Sequence, residues 1–216
     1  MSIRIMNSRG VPGTLACLAR TVHQRRPVFL TSCHMLFAAG AARNEQVWQV
    51  LESSGHHRYR RLGCALQGKR GIVRYRGDDY FVDCGIGALE ATLESEPVWV
   101  PGSPAVPKPG DRVMKTGAAT GTTIGVIVDS SYCSSTNAGT SATNVGRDLT
   151  PRQLLIRSTD PQRPFAEAGD SGALVVNEDN IAIGLLWGMT GAAESVACPI
   201  DPVLHALNIQ LGGTRT

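Results

Sequence analysis

At 216 residues, 42% of them hydrophobic, the chain is long enough to bury one core, or two small ones that share an interface. A formal net charge of +3 is too mild to argue for nucleic acid as a partner, and no stretch reaches the roughly 20 apolar residues that cross a bilayer as a helix. With 24 glycines, 12 prolines and only short apolar runs, the composition favours an all-β chain with many turns.

Met1 to Leu15 carries Arg4, Arg9 and two glycines without a long apolar run, so no secretion signal is read there and a cytoplasmic protein is expected. Pro12 to Arg20 and Val28 to Ser32 read as strands, and the second runs into Thr31-Ser32-Cys33-His34. Val47 to Leu51, Leu62 to Leu66, Gly71 to Arg76 and Asp79 to Asp83 read as four more. Five prolines between Pro97 and Pro109 suit an extended linker. Beyond it, strands are expected over Arg112 to Thr116, Thr122 to Asp129, Gln153 to Arg157, Gly172 to Asn177, Ile181 to Trp187 and Ser195 to Ile200, with Ser130 to Gly146 as a long loop. The chain closes on a predicted helix over 201–212. Asp201 would cap it, Val203, Leu204, Leu207 and Leu211 fall at helical spacing, and Gly212 would stop it.

Gly169-Asp170-Ser171-Gly172, leading into Ala173-Leu174-Val175-Val176, carries the most chemistry. Glycines allow a tight turn whose N–H groups can face an oxyanion, and a serine held there is presented as a nucleophile. Serine needs a base to take its proton, and His34 is the candidate. A carboxylate at Asp83 would fix the imidazole's tautomer and stabilise the imidazolium. Asp78 and Asp79 compete with Asp83 but sit in a polar turn and read as solvated. Taken singly, the glycine-rich strand entry could be a plain turn and His34 a core histidine. The three together, in the order His34, Asp83, Ser171 with gaps of 49 and 88 residues, favour a site.

With these motifs, and with Gly13-Thr14-Leu15-Ala16-Cys17-Leu18, Val82-Asp83-Cys84-Gly85-Ile86-Gly87-Ala88-Leu89 and Gly110-Asp111-Arg112-Val113-Met114-Lys115-Thr116-Gly117, the chain resembles the trypsin-like, chymotrypsin-fold serine peptidases over nearly its whole length. The resemblance implies two six-stranded antiparallel β-barrels and a C-terminal helix. The first barrel, 1–96, would hold His34 and Asp83; 97–109 would cross over; the second barrel, 110–200, would hold Ser171. It implies a catalytic triad, an oxyanion hole from the N–H groups of Gly169 and Ser171, and an endopeptidase that needs no cofactor and no metal. Asp170 pairs in some relatives with an N-terminus freed by proteolysis, but no such activation site is visible here. In relatives without that switch a basic residue substitutes, and Lys115 stands at its place. By position, Phe165 would floor the specificity pocket with Glu167 nearby, and Leu186 and Trp187 would pair with the substrate backbone.

Six scattered cysteines read as reduced, mostly buried thiols. The segment His56 to Arg76 is basic throughout, yet it reads better as a solvated face than as a nucleic-acid surface, because only Tyr59 and Tyr75 offer stacking area. Expected partners are a protein or peptide substrate and a regulatory or effector protein, as for stand-alone trypsin-like domains of bacterial defence operons, with no membrane partner. A catalytically silent binding module is the alternative.

Overall fold

The computed structural model describes residues 2–53, 56–90, 106–136, 148–190 and 194–212. The first half contains β1 (Ile3–Met6), β2 (Pro12–Leu15), β3 (Cys17–Thr21), β4 (Pro27–Thr31), the single helical turn α1 (Cys33–Leu36), β5 (Gln46–Ser53), β6 (His56–Tyr75) and β7 (Asp78–Leu89). The second contains β8 (Arg112–Gly117), β9 (Gly121–Thr136), β10 (Asp148–Ser158), β11 (Leu174–Asn177), β12 (Ala182–Met189) and β13 (Ser195–Pro199), then α2 (Ile200–Leu207) and β14 (Ile209–Gln210).

Six strands close a barrel in the order β10-β13-β12-β11-β8-β9, as expected for the second half. The first half is an eight-stranded sheet in the order β14-β3-β4-β7-β6-β5-β1-β2, where a six-stranded barrel was expected. The strands divide differently: Ile3–Met6 adds β1, and the run read as one strand over Pro12 to Arg20 is two, β2 and β3. The runs read as separate strands at Leu62 to Leu66 and Gly71 to Arg76 are one strand, β6, which passes a bulge between Ala65 and Gln67 without losing its ladder to β7. The chain end also adds β14, whose Ile209 and Gln210 pair with Thr21 and Arg20.

That edge strand shortens the predicted C-terminal helix. Asn208 takes the left-handed conformation (φ 52°, ψ 49°) and its N–H closes on Leu204 and His205, so α2 ends at Leu207. The helix starts at Ile200 with Pro199 as its N-cap, and Asp201 sits inside the first turn instead of capping it, where it still complements the helix dipole. The loop expected from Ser130 is also shorter, because β9 runs to Thr136 and pairs with the start of β10. Residues 137–146 of that loop and 97–105 of the proline-rich crossing fall outside the described residues.

Three apolar clusters hold the molecule. One fills the first sheet around Ile5, Phe29, Met35, Leu36 and Leu62. Another fills the barrel around Val113, Ile127, Leu154, Ile156 and Phe165. The third spans both, joining Leu30, Phe81 and Val82 of the sheet to Leu174 and Leu185 of the barrel and to Val203 and Leu207 of α2. Burial of these side chains fixes how the halves meet, and that meeting line is where the candidate residues gather. No helix among the described residues is long and apolar enough to cross a membrane.

Candidate active site

His34 does not end a strand, as its sequence neighbours suggest. It lies on α1, which follows directly on β4, with Phe37 N–H closing on Cys33 O at 3.0 Å. Asp83 lies inside β7, not at its end. The two meet through a pair of contacts. Asp83 Oδ1 accepts the backbone N–H of His34 at 2.9 Å, and Asp83 Oδ2 lies 3.0 Å from His34 Nδ1. The carboxylate is fully buried while the histidine side chain keeps 31% exposure, so the ring is held from behind and open in front. Asp78 and Asp79 sit at the surface against Arg152 and Arg74, and take no part.

Gly172 brings the serine loop against the strand that leads into His34. A side chain at Gly172 would bring its Cβ to 2.2 Å from Thr31 Oγ1, 2.5 Å from Thr14 O and 3.0 Å from Ser32 N, and its φ is +91°. Only glycine can therefore press the serine loop against the residues that lead into His34. Ser171 O accepts the Thr14 N–H at 2.9 Å, which pins the nucleophile candidate from the sheet side. Ser171 Oγ and the N–H groups of Gly169 and Ser171 make no hydrogen bond among the described residues.

Asp170 points the other way, into the protein. Its carboxylate meets Lys115 Nζ at 2.8 Å, and neither side chain has any exposed surface. It also accepts from Ala119 N, Thr120 N, Thr120 Oγ1 and Glu167 N. Gly117 makes room for it, since a Cβ there would lie 2.2 Å from Asp170 Oδ1. Burial pushes the Asp170 pKa up, but the Lys115, Thr120 and backbone donors outweigh it and hold the carboxyl below its usual range. Lys115 in turn has its pKa lowered by burial, partly offset by Asp170. The carboxylate's donor count favours the ionised pair.

Thr14, which the sequence reading passed over as a strand residue, ties this loop to the first sheet. It is fully buried. Its hydroxyl donates to Gly169 O at 2.9 Å and accepts from Ala118 N at 3.0 Å, and its carbonyl accepts Thr31 Oγ1 at 2.8 Å. Thr14→Val keeps the shape but strands two backbone groups, which should cost about 1–3 kcal/mol for each. Because the Gly169 peptide would shift, kcat should fall between about 10- and 100-fold with little change in KM. Thr14→Ser should recover most of it, and steady-state kinetics of the two variants would check this.

The proposed substrate-binding residues divide. Phe165 is fully buried in the barrel cluster, and its carbonyl accepts Thr123 Oγ1 at 2.6 Å. Glu167 is exposed. Leu186 is buried, and its backbone is already joined to the serine loop through Gly172 N and Ala173 O. Trp187 donates Nε1–H to Gln153 Oε1 at 2.8 Å and stacks at a tilt on Phe81, so its ring seals the seam between sheet and barrel. Arg157 Nε and Nη2 both donate to Glu194 Oε1, at 3.0 and 2.7 Å. All six cysteines are free; Cys17, Cys84 and Cys198 are buried, Cys33 and Cys64 partly so, and Cys133 is exposed. In the basic segment, Arg61, Arg70 and Arg74 pair with Glu90, Asp83 and Asp79.

Among solved structures the chain is similar to a protease from Nocardiopsis, at 15% identity and a TM-score of 0.61, covering 97% of this chain and 96% of the other. It is similar to protease A of Thermobifida fusca at 18% identity and 0.60, covering 96% and 95%. It is similar to the chymotrypsin of Cellulomonas bogoriensis at 15% identity and 0.60, covering 98% and 96%. The chain has the chymotrypsin-like fold. No family model matches it, and no curated protein matches it in sequence.

Proposed function

We propose that the chain is a serine endopeptidase that cuts a peptide bond through an acyl-Ser171 intermediate. The observation that carries this reading is the buried Asp83 gripping His34 by both its backbone and its ring, while Gly172 packs the Ser171 loop against Thr31 and Ser32, just before His34. His34 Nε2 takes the proton from Ser171 Oγ as the oxygen attacks the carbonyl carbon. The oxyanion is received by the N–H groups of Gly169 and Ser171. Asp83 holds Nδ1–H and stabilises the imidazolium without itself taking the proton. The tetrahedral species collapses as His34 hands the proton to the leaving amine, and water then repeats the sequence on the ester.

The Lys115–Asp170 pair supports the serine loop in place of a freed N-terminus, so no proteolytic activation is needed. A cytoplasmic enzyme built this way would serve a dedicated protein substrate or a regulatory partner. The natural substrate class follows from analogy with stand-alone trypsin-like domains of bacterial defence systems.

A fluorophosphonate probe tests the reading on purified protein. Mass spectrometry should place the adduct on Ser171, with labelling lost in Ser171→Ala and His34→Ala. Folded protein that is never labelled, alone or with candidate partners, would instead make it a silent two-part binding module.

A further inference from the structure

One charged side chain outside the set already described touches it. Arg70 stands directly across from Asp83 in the β6–β7 ladder. Its Nε lies 3.0 Å from Asp83 Oδ2, the same oxygen that faces His34 Nδ1 at 3.0 Å. Guanidinium and imidazole therefore share one carboxylate oxygen and stand no more than about 6 Å apart, within the range where unit charges interact by more than thermal energy even near a surface. The carboxylate is fully buried, and the arginine side chain is 48% exposed.

The other titratable groups around the pair are Cys33 on the His34 turn, Cys84 on β7, Cys198 on β13, whose Sγ accepts the Asp83 N–H, and Lys69 on β6. Burial pushes the Cys33 thiol to about 11, with Asp83 adding to the rise, and pushes Cys84 and Cys198 well above their usual value. These thiols stay neutral through the working pH range. The charges beside the imidazole are thus Asp83, the Arg70 guanidinium that shares its oxygen, and Lys69, one step along β6 and opposite Cys84.

We propose that Arg70 is a positioning residue: it pins the Asp83 carboxylate and, as a cation beside the ring, sets the pH range in which His34 is neutral and able to accept a proton. Its catalytic meaning rests on the peptidase reading above, but the coupling itself does not. Removing a positive charge favours imidazolium, so Arg70→Gln should move the titration of the His34 ring to higher pH. Half-exposure screens the interaction, and a shift of about half a pH unit is expected.

The test is NMR titration of the His34 Cε1–H signal in the full chain, assigned by its loss in His34→Gln. The midpoint should lie higher in Arg70→Gln, close to the parent in Arg70→Lys, and the gap should narrow in 0.5 M salt. An unchanged midpoint in folded Arg70→Gln overturns the proposal. Should that variant not fold, salt acts on the parent itself: screening the half-exposed guanidinium more than the buried carboxylate must raise the midpoint, and a flat or falling one overturns the proposal. The acidic limb of fluorophosphonate labelling should follow the same shift. A parent that never labels defeats the peptidase reading alone, because the NMR result still decides the role of Arg70.

Discussion

Asp83→Asn should lower kcat by about 10⁴-fold while the chain stays folded. Asparagine can keep the contact to the His34 backbone N–H through its carbonyl oxygen. Its amide then faces Nδ1 with a donor, which forces the ring into the tautomer whose Nε2 carries the proton. That ring cannot take a proton from Ser171. The substitution also leaves Arg70 without its anion, but at half-exposure the guanidinium turns to water, so the melting temperature should change little. Steady-state kinetics on a peptide substrate, with a thermal melt of the same preparation, would check both halves. A loss of less than about tenfold would remove Asp83 from the chemistry.

Lys115→Met should be the most damaging single change to stability in this region, at about 3–5 kcal/mol. Methionine fits the volume, but it leaves the Asp170 carboxylate fully buried with hydroxyl and backbone donors and no counter-charge. The serine loop should relax, and labelling of Ser171 should fall with it. Adding Asp170→Asn should restore much of the melting temperature and little of the activity, since a neutral pair is tolerated but grips the loop less firmly. The pH response follows from the lowered Asp170 pKa. The stability this carboxylate contributes is complete above its ordinary value of 3.8 and is lost as the pH falls through the lower folded-state value. Melting curves between pH 5 and pH 2 should therefore drop more steeply for the parent than for the double variant.

The residues with a chemical signature were legible in the chain. A glycine-flanked serine, a histidine and an aspartate announce themselves by type and order, although the last two read as strand ends and lie instead on α1 and inside β7, and Lys115 is reached only through the family resemblance. Thr14 and Arg70 carry no such mark. Threonine in a strand is what β-propensity alone favours, and the partners that give it a role lie 104 and 155 residues away. Arg70 lies in a run of basic residues that reads as a solvated face. Only the β6–β7 register, which continues past a bulge, sets it opposite Asp83. The helix boundary failed for a similar reason, because Leu211 keeps helical spacing while Asn208 turns the chain into a strand whose pairing partner lies near the other end of the sequence. Local pattern sets the elements, and distant contacts decide where they stop.

That last pairing bears on how the chain is made. Strands β3 and β4 are synthesised well before β14, so the outer edge of β3 is covered only when Ile209 and Gln210 arrive. Until then the first sheet offers open backbone donors and acceptors to whatever strand is nearest, including the same segment of a neighbouring nascent chain. Synthesis that stalls short of residue 209 should thus leave a product prone to self-association.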